Sequence, residues 1–163
     1  MKARELCRIG LLTGMLTLLG CLRLPSFFPG AEFQLSAPFA VAVCAVFGFR
    51  RYLLIGVLSS CIALLLGLQT FLHVGVALLF RLVAGGVLQC GRNAVWAIVL
   101  AGPVASAAAR LSLGLWIGKA VYPLLLAALP GMFLTALTAY PMTKILRRVY
   151  AATEGMRNHV VQR

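Results

Sequence analysis

The side chains from which this 163-residue chain could build a catalytic or metal site are few: two histidines, five cysteines and three acids, with no aspartate among them. The acids are Glu5, Glu32 and Glu154, and the histidines are His73 and His159. They are scattered, and His73 has no acid near it in sequence to orient it as a base. Ser59 and Ser60 lack the flanking glycines of an intramembrane serine protease. The missing aspartates exclude chemistry built on paired aspartates. No His/Cys/Glu group has metal-ligand spacing, and there is no Gly-Lys-Ser/Thr loop to cradle a nucleotide phosphate. The expectation is a chain that is not an enzyme and carries no cofactor. Cys7, Cys21, Cys44, Cys61 and Cys90 form no C-x-x-C pair and lie in or beside apolar runs, so they read as small buried hydrophobes.

The chemistry that remains is cationic. Arg81 stands in the apolar run Val76-Ala-Leu-Leu-Phe-Arg-Leu-Val-Ala-Gly85. An arginine at that depth costs several kcal/mol unless paired or hydrated, and no acid lies inside any apolar run. Two readings stand side by side. Arg81 holds an anionic or carbonyl-bearing ligand, or it is structural and bonded to backbone carbonyls or Glu32. Arg110 lies near the end of another apolar run, where it contacts a ligand or snorkels to headgroups. The segment Pro25-Ser-Phe-Phe-Pro-Gly-Ala-Glu-Phe33 is rich in aromatics. It reads either as a lid stacking on a flat ligand or as an interfacial belt.

The elements that position these groups follow from composition. The chain is 62% hydrophobic and 11% charged, against roughly 25% charged in soluble domains. Its mean hydropathy is +1.00. A soluble domain of this size has too little interior for so much apolar surface. The net charge of +12 does not indicate a nucleic-acid binder, which needs a solvated basic face. It suits anionic headgroups of a lipid bilayer instead. Cutting at charges and turn residues predicts spans over 8–24, 35–49, 52–68, 72–90, 94–115 and 121–143. The fold class expected is an all-α integral membrane protein, a bundle of six transmembrane helices. Residues 1–148 form the single domain and 149–163 a basic cytoplasmic tail. Continuous apolar runs argue for helices over a barrel. Arg23 and Pro25 follow the first run with no cleavage site, so it reads as a retained helix rather than a signal peptide.

Lys2, Arg4, Arg8, Arg50, Arg51, Arg92 and the five basic residues from Lys144 onward fall on one side. Arg23 and Lys119 fall on the other. The positive-inside rule therefore predicts both termini in the cytoplasm of a multi-pass protein of a prokaryotic plasma or inner membrane.

Small residues add packing signals. Gly10-Leu-Leu-Thr-Gly14 is a G-x-x-x-G motif, and Gly56-Val-Leu-Ser-Ser60 is similar. Both suit close helix approach, either within the bundle or against a separate subunit. Pro103 and Pro141 are expected to kink or end their helices.

Six spans in about 160 residues, a small-residue face on the first helix and a long outer loop after it resemble a known family. So do Phe33-Gln-Leu-Ser-Ala-Pro38, Phe47-Gly-Phe-Arg-Arg-Tyr52, Gly102-Pro103 and Leu129-Pro-Gly-Met132. That family is the substrate-binding S components of energy-coupling factor (ECF) transporters. The resemblance implies a vitamin or similar small micronutrient as substrate, with an aromatic amino acid as a narrower candidate. It implies a transmembrane coupling subunit and two cytoplasmic ATPases as partners, which hydrolyse the ATP. In that scheme Gly10 and Gly14 dock the coupling subunit, Phe28, Glu32 and Gln34 close over the ligand, and Arg81 and Arg110 hold its polar groups. Many members carry alanines where this chain has Gly10 and Gly14. Two rivals stand beside this reading: a non-enzymatic membrane scaffold or assembly protein, and a small self-contained transporter.

Overall fold

A computed structural model describes residues 3–25, 32–117 and 121–161. It has six helices: α1 (Ala3–Cys21), α2 (Ser36–Phe47), α3 (Phe49–Leu65), α4 (Phe71–Cys90), α5 (Val95–Ile117) and α6 (Val121–Val161). Between α1 and α2 lies a ribbon of two short antiparallel strands, β1 (Arg23–Pro25) and β2 (Glu32–Gln34).

Helix α2 is the axle. It touches all of the other helices, which otherwise pack in the ring order α1, α3, α4, α5, α6. Its sequence Ser-Ala-Pro-Phe-Ala-Val-Ala-Val-Cys-Ala-Val-Phe is apolar all round, and Pro38 to Ala45 are buried throughout. A helix surrounded on every side needs no polar face. The core continues with Ile9, Leu12 and Leu16 of α1, Tyr52 and Ile55 of α3, Leu88 of α4 and Ile98 of α5. Outside it, large apolar side chains face outward: Leu65 is 86% exposed, Phe71 79%, Phe133 74% and Leu11 69%.

Among the described residues, two helices are long and apolar enough to cross a membrane, Phe71–Cys90 and Val95–Gly114. Twelve residues make α2 about 18 Å long, short of a hydrocarbon layer about 30 Å thick.

Several boundaries differ from those expected. The first span does not reach 24: α1 ends at Cys21 and Arg23 already pairs with Gln34 in the ribbon. Arg50 and Arg51 do not close span 2. They sit in the first turn of α3, because Gly48 alone makes the break. Its φ of 84° and ψ of 163° lie where a side chain clashes with its own backbone. Pro103, Pro130 and Pro141 all lie inside helices. Each removes one ladder bond, and the turns on either side carry the helix past it. Helix α6 continues unbroken through residue 148 to Val161. Tyr150 lies there under the Arg8 guanidinium, 4.8 Å from ring centroid to Cζ, and edge-on to Phe47 at 5.3 Å.

Two helix ends use the same cap. After α3, Gly67 donates to Leu64 and Leu68 to Ala63, with Gly67 at φ 70°. This is the Schellman arrangement with glycine at its left-handed position. After α4, Arg92 donates to Gln89 and Asn93 to Leu88. Here arginine holds the left-handed position at φ 49°, and Asn93 follows at 56°. A side chain there costs about 1 kcal/mol relative to glycine.

Candidate functional site

Arg81 projects from the middle of α4 toward α3 and is 8% exposed. Its Nη1 donates to Ser60 Oγ at 2.7 Å. Its stem lies across Gly56, where any Cβ would overlap Arg81 Cδ and Nε. The Gly56/Ser60 spacing, expected to admit a neighbouring backbone, instead makes a slot for one arginine side chain. Glycine gives the clearance and the serine, one turn on, gives the acceptor.

One turn before Gly56 on the same face is Tyr52. It is fully buried and lies within electrostatic reach of Arg81. Its hydroxyl has no hydrogen-bond partner among the described residues. A buried hydroxyl left so costs about 1–3 kcal/mol.

On the other side of α3 the polar seam continues into α1. Thr13 donates to the Ile9 carbonyl at 2.7 Å. Thr17 Oγ1 lies 2.9 Å from the Thr13 carbonyl and 3.0 Å from Ser59 Oγ. Thr13, Thr17, Ser59, Ser60 and Arg81 are all buried, so hydroxyls link α1, α3 and α4 through an otherwise apolar interface. Among the described residues no carboxylate reaches Arg81. Its hydrogen-bond partner there is a neutral oxygen.

The other expected site residues are distributed as follows. Arg110 is partly buried in α5, which packs against α4. Counting from the α4–α5 turn at 1.5 Å per residue, Arg81 lies about 15 Å and Arg110 about 24 Å along the helices, so they stand at different depths. Glu32 and Gln34 lie on β2, opposite Pro25 and Arg23 of β1, and β2 touches α6. Phe28 lies outside the described residues.

Gly10 and Gly14 are exposed, and nothing lies within 4 Å of the Cβ either would carry. Nothing in the described fold packs on them, which removes internal packing as their explanation. The cysteines are a correction. Cys44 is buried, but Cys7, Cys21, Cys61 and Cys90 are on the outer surface beside the exposed leucines. An apolar run faces outward as readily as inward when its surroundings are apolar. Among the described residues no His/Cys/Glu cluster is able to hold a metal.

Sequence reading found Arg81 but missed Tyr52, Thr13 and Thr17, and it weighed Ser59 and Ser60 only as nucleophiles and small residues. The spacing Tyr52, Gly56, Ser60 was visible as an i, i+4, i+8 face. Its partner across the helix interface was not.

A cavity of about 250 Å³ opens at the α4–α5 turn, next to Gly48. Cys44, Phe49 and Leu88 form its apolar wall, and Gln89, Arg92 and Asn93 its polar side.

No family model matches the chain, and no solved structure matches it. Protein BioX of Lysinibacillus sphaericus is 40% identical to it over 151 residues, covering 93% of this chain and 91% of that protein.

Proposed function

The chain belongs to the family of Protein BioX, and on that premise we propose that it is the membrane-embedded substrate-binding subunit of an ATP-driven, ECF-type uptake transporter. The substrate is a vitamin or similar small micronutrient, and biotin, a vitamin that carries a carboxylate, is the first ligand to test. The six helices form one membrane-embedded bundle, with the short α2 as its shielded centre. Both termini face the cytoplasm, and the chain catalyses no reaction itself. A separate transmembrane coupling subunit docks on Gly10 and Gly14, and two cytoplasmic ATPases hydrolyse ATP.

The observation that carries this reading is Arg81. A buried guanidinium whose partner is a neutral serine hydroxyl still lacks a counter-charge. A carboxylate-bearing ligand supplies one, and the unpartnered Tyr52 hydroxyl, one turn before Gly56 on α3, is a second donor. Biotin carries a carboxylate and a ureido carbonyl, groups that an arginine and a phenol bind well. Phe28, Glu32 and Gln34 close the outer side, and Arg110 meets the ligand's outer polar end.

Native mass spectrometry of the chain purified in mild detergent, with biotin added, tests this. A retained ligand mass that Arg81→Ala abolishes is the expected result. Gly10→Leu and Gly14→Leu are expected to keep the ligand and lose assembly with the coupling subunit. Equal damage to both activities by both kinds of substitution would sink the division of labour. A bare monomer that binds no micronutrient would favour the scaffold instead, and a stable ligand-free oligomer the self-contained transporter.

A further inference from the structure

The cavity at the α4–α5 turn has no part in the transport scheme above, and the cation that lines it, Arg92, stands at a costly backbone position. Arg92 and Asn93 are both left-handed. After α3 the equivalent position is Gly67, the residue that adopts this conformation without strain. Placing arginine there sacrifices stability and puts a guanidinium at the mouth of the cavity. Among the described residues its side chain has no hydrogen bond or ion pair, and no carboxylate lines the cavity. Gln89 and Asn93 add amide donors, while Phe49 and Leu88 give an apolar wall.

The turn joins Phe71–Cys90 to Val95–Gly114, the two helices of membrane length. A cavity at that junction sits at headgroup height, on the side where basic residues concentrate. A cationic, amide-lined pocket with an apolar wall fits a phosphate group attached to acyl chains. We propose that this cavity binds the phosphate of an anionic phospholipid through Arg92, Gln89 and Asn93. The inference rests only on the membrane placement of α4 and α5, not on the substrate or the ECF partners.

The test is native mass spectrometry of the chain released from nanodiscs of phosphatidylglycerol and phosphatidylcholine in equal parts. Wild-type protein is expected to retain phosphatidylglycerol. Arg92→Gly is expected to lower that retention about fivefold with the melting temperature unchanged or raised, because glycine relieves the left-handed strain. Arg148→Gln removes an exposed charge on the same side from α6, which contributes no residue to the cavity, and is expected to leave retention intact. Retention unaffected by Arg92→Gly, or lost equally with Arg148→Gln, would overturn the site. Displacement of the lipid by glycerol 1-phosphate alone, in an Arg92-dependent manner, would overturn the lipid source in favour of a free phosphate ester. A chain that does not enter nanodiscs would overturn the membrane placement and this inference with it.

Discussion

The Arg81 slot tests most sharply through the residue that makes room for it. Gly56→Ala puts a methyl group where the Arg81 stem now lies, so the arginine that bonds Ser60 must move. The expected cost is about 1–3 kcal/mol, read as a lower midpoint in a detergent thermal melt. Ser60→Ala keeps the clearance and removes the acceptor, so its loss of about 1–3 kcal/mol reports the hydrogen bond alone. Tyr52→Phe has the opposite sign. The hydroxyl has no partner among the described residues, so deleting it is expected to leave the ligand-free protein as stable or more stable. If it instead destabilises, the hydroxyl is satisfied in the resting protein and is not held for a ligand.

The elements are set by a handful of backbone positions. Gly48 separates α2 from α3 with one residue, and its backbone conformation is closed to any side chain. Gly48→Ala is expected to cost at least about 1 kcal/mol, although no neighbour stands within 4 Å of the added Cβ. A thermal melt showing no change would mean that the α2–α3 junction relaxes freely. Glu5 and Arg51 tie α1 to α3 by a 2.7 Å ion pair, with 42% and 48% of their side chains exposed. Glu5→Gln is expected to shift stability by no more than about 0.5 kcal/mol, a small effect beside that of Gly48.

For the whole molecule, the charge distribution and the exposed cysteines make orientation measurable. Cys21 ends α1 on the side opposite Arg92, and Cys90 precedes the α4–α5 turn. Both are exposed and free. Single-cysteine variants treated with an impermeant maleimide are expected to label Cys21 in intact cells and Cys90 only after permeabilisation. Reversed labelling would invert the topology. Alkaline carbonate extraction is expected to leave the chain in the membrane pellet, and its release would refute a membrane-embedded bundle.

Sequence by itself determined six helices and their order, because long apolar runs broken by charges leave few alternatives for where backbone hydrogen bonds close. It singled out Arg81, since a charge inside an apolar run is conspicuous in one dimension. Tertiary structure decided the rest. Helix α2 is apolar all round, but long stretches of α4 and α5 are strongly apolar too, and only the packing makes α2 the centre of the ring. The first outer segment reads as a loop, yet Arg23–Pro25 and Glu32–Gln34 pair as strands, because register between short segments is set by their meeting. Gly10-x-x-x-Gly14 and Gly56-x-x-x-Ser60 look alike on paper. One stands open and the other holds an arginine, because a glycine's role depends on which atoms of another helix arrive above it, and that is fixed by the packing of the helices around α2.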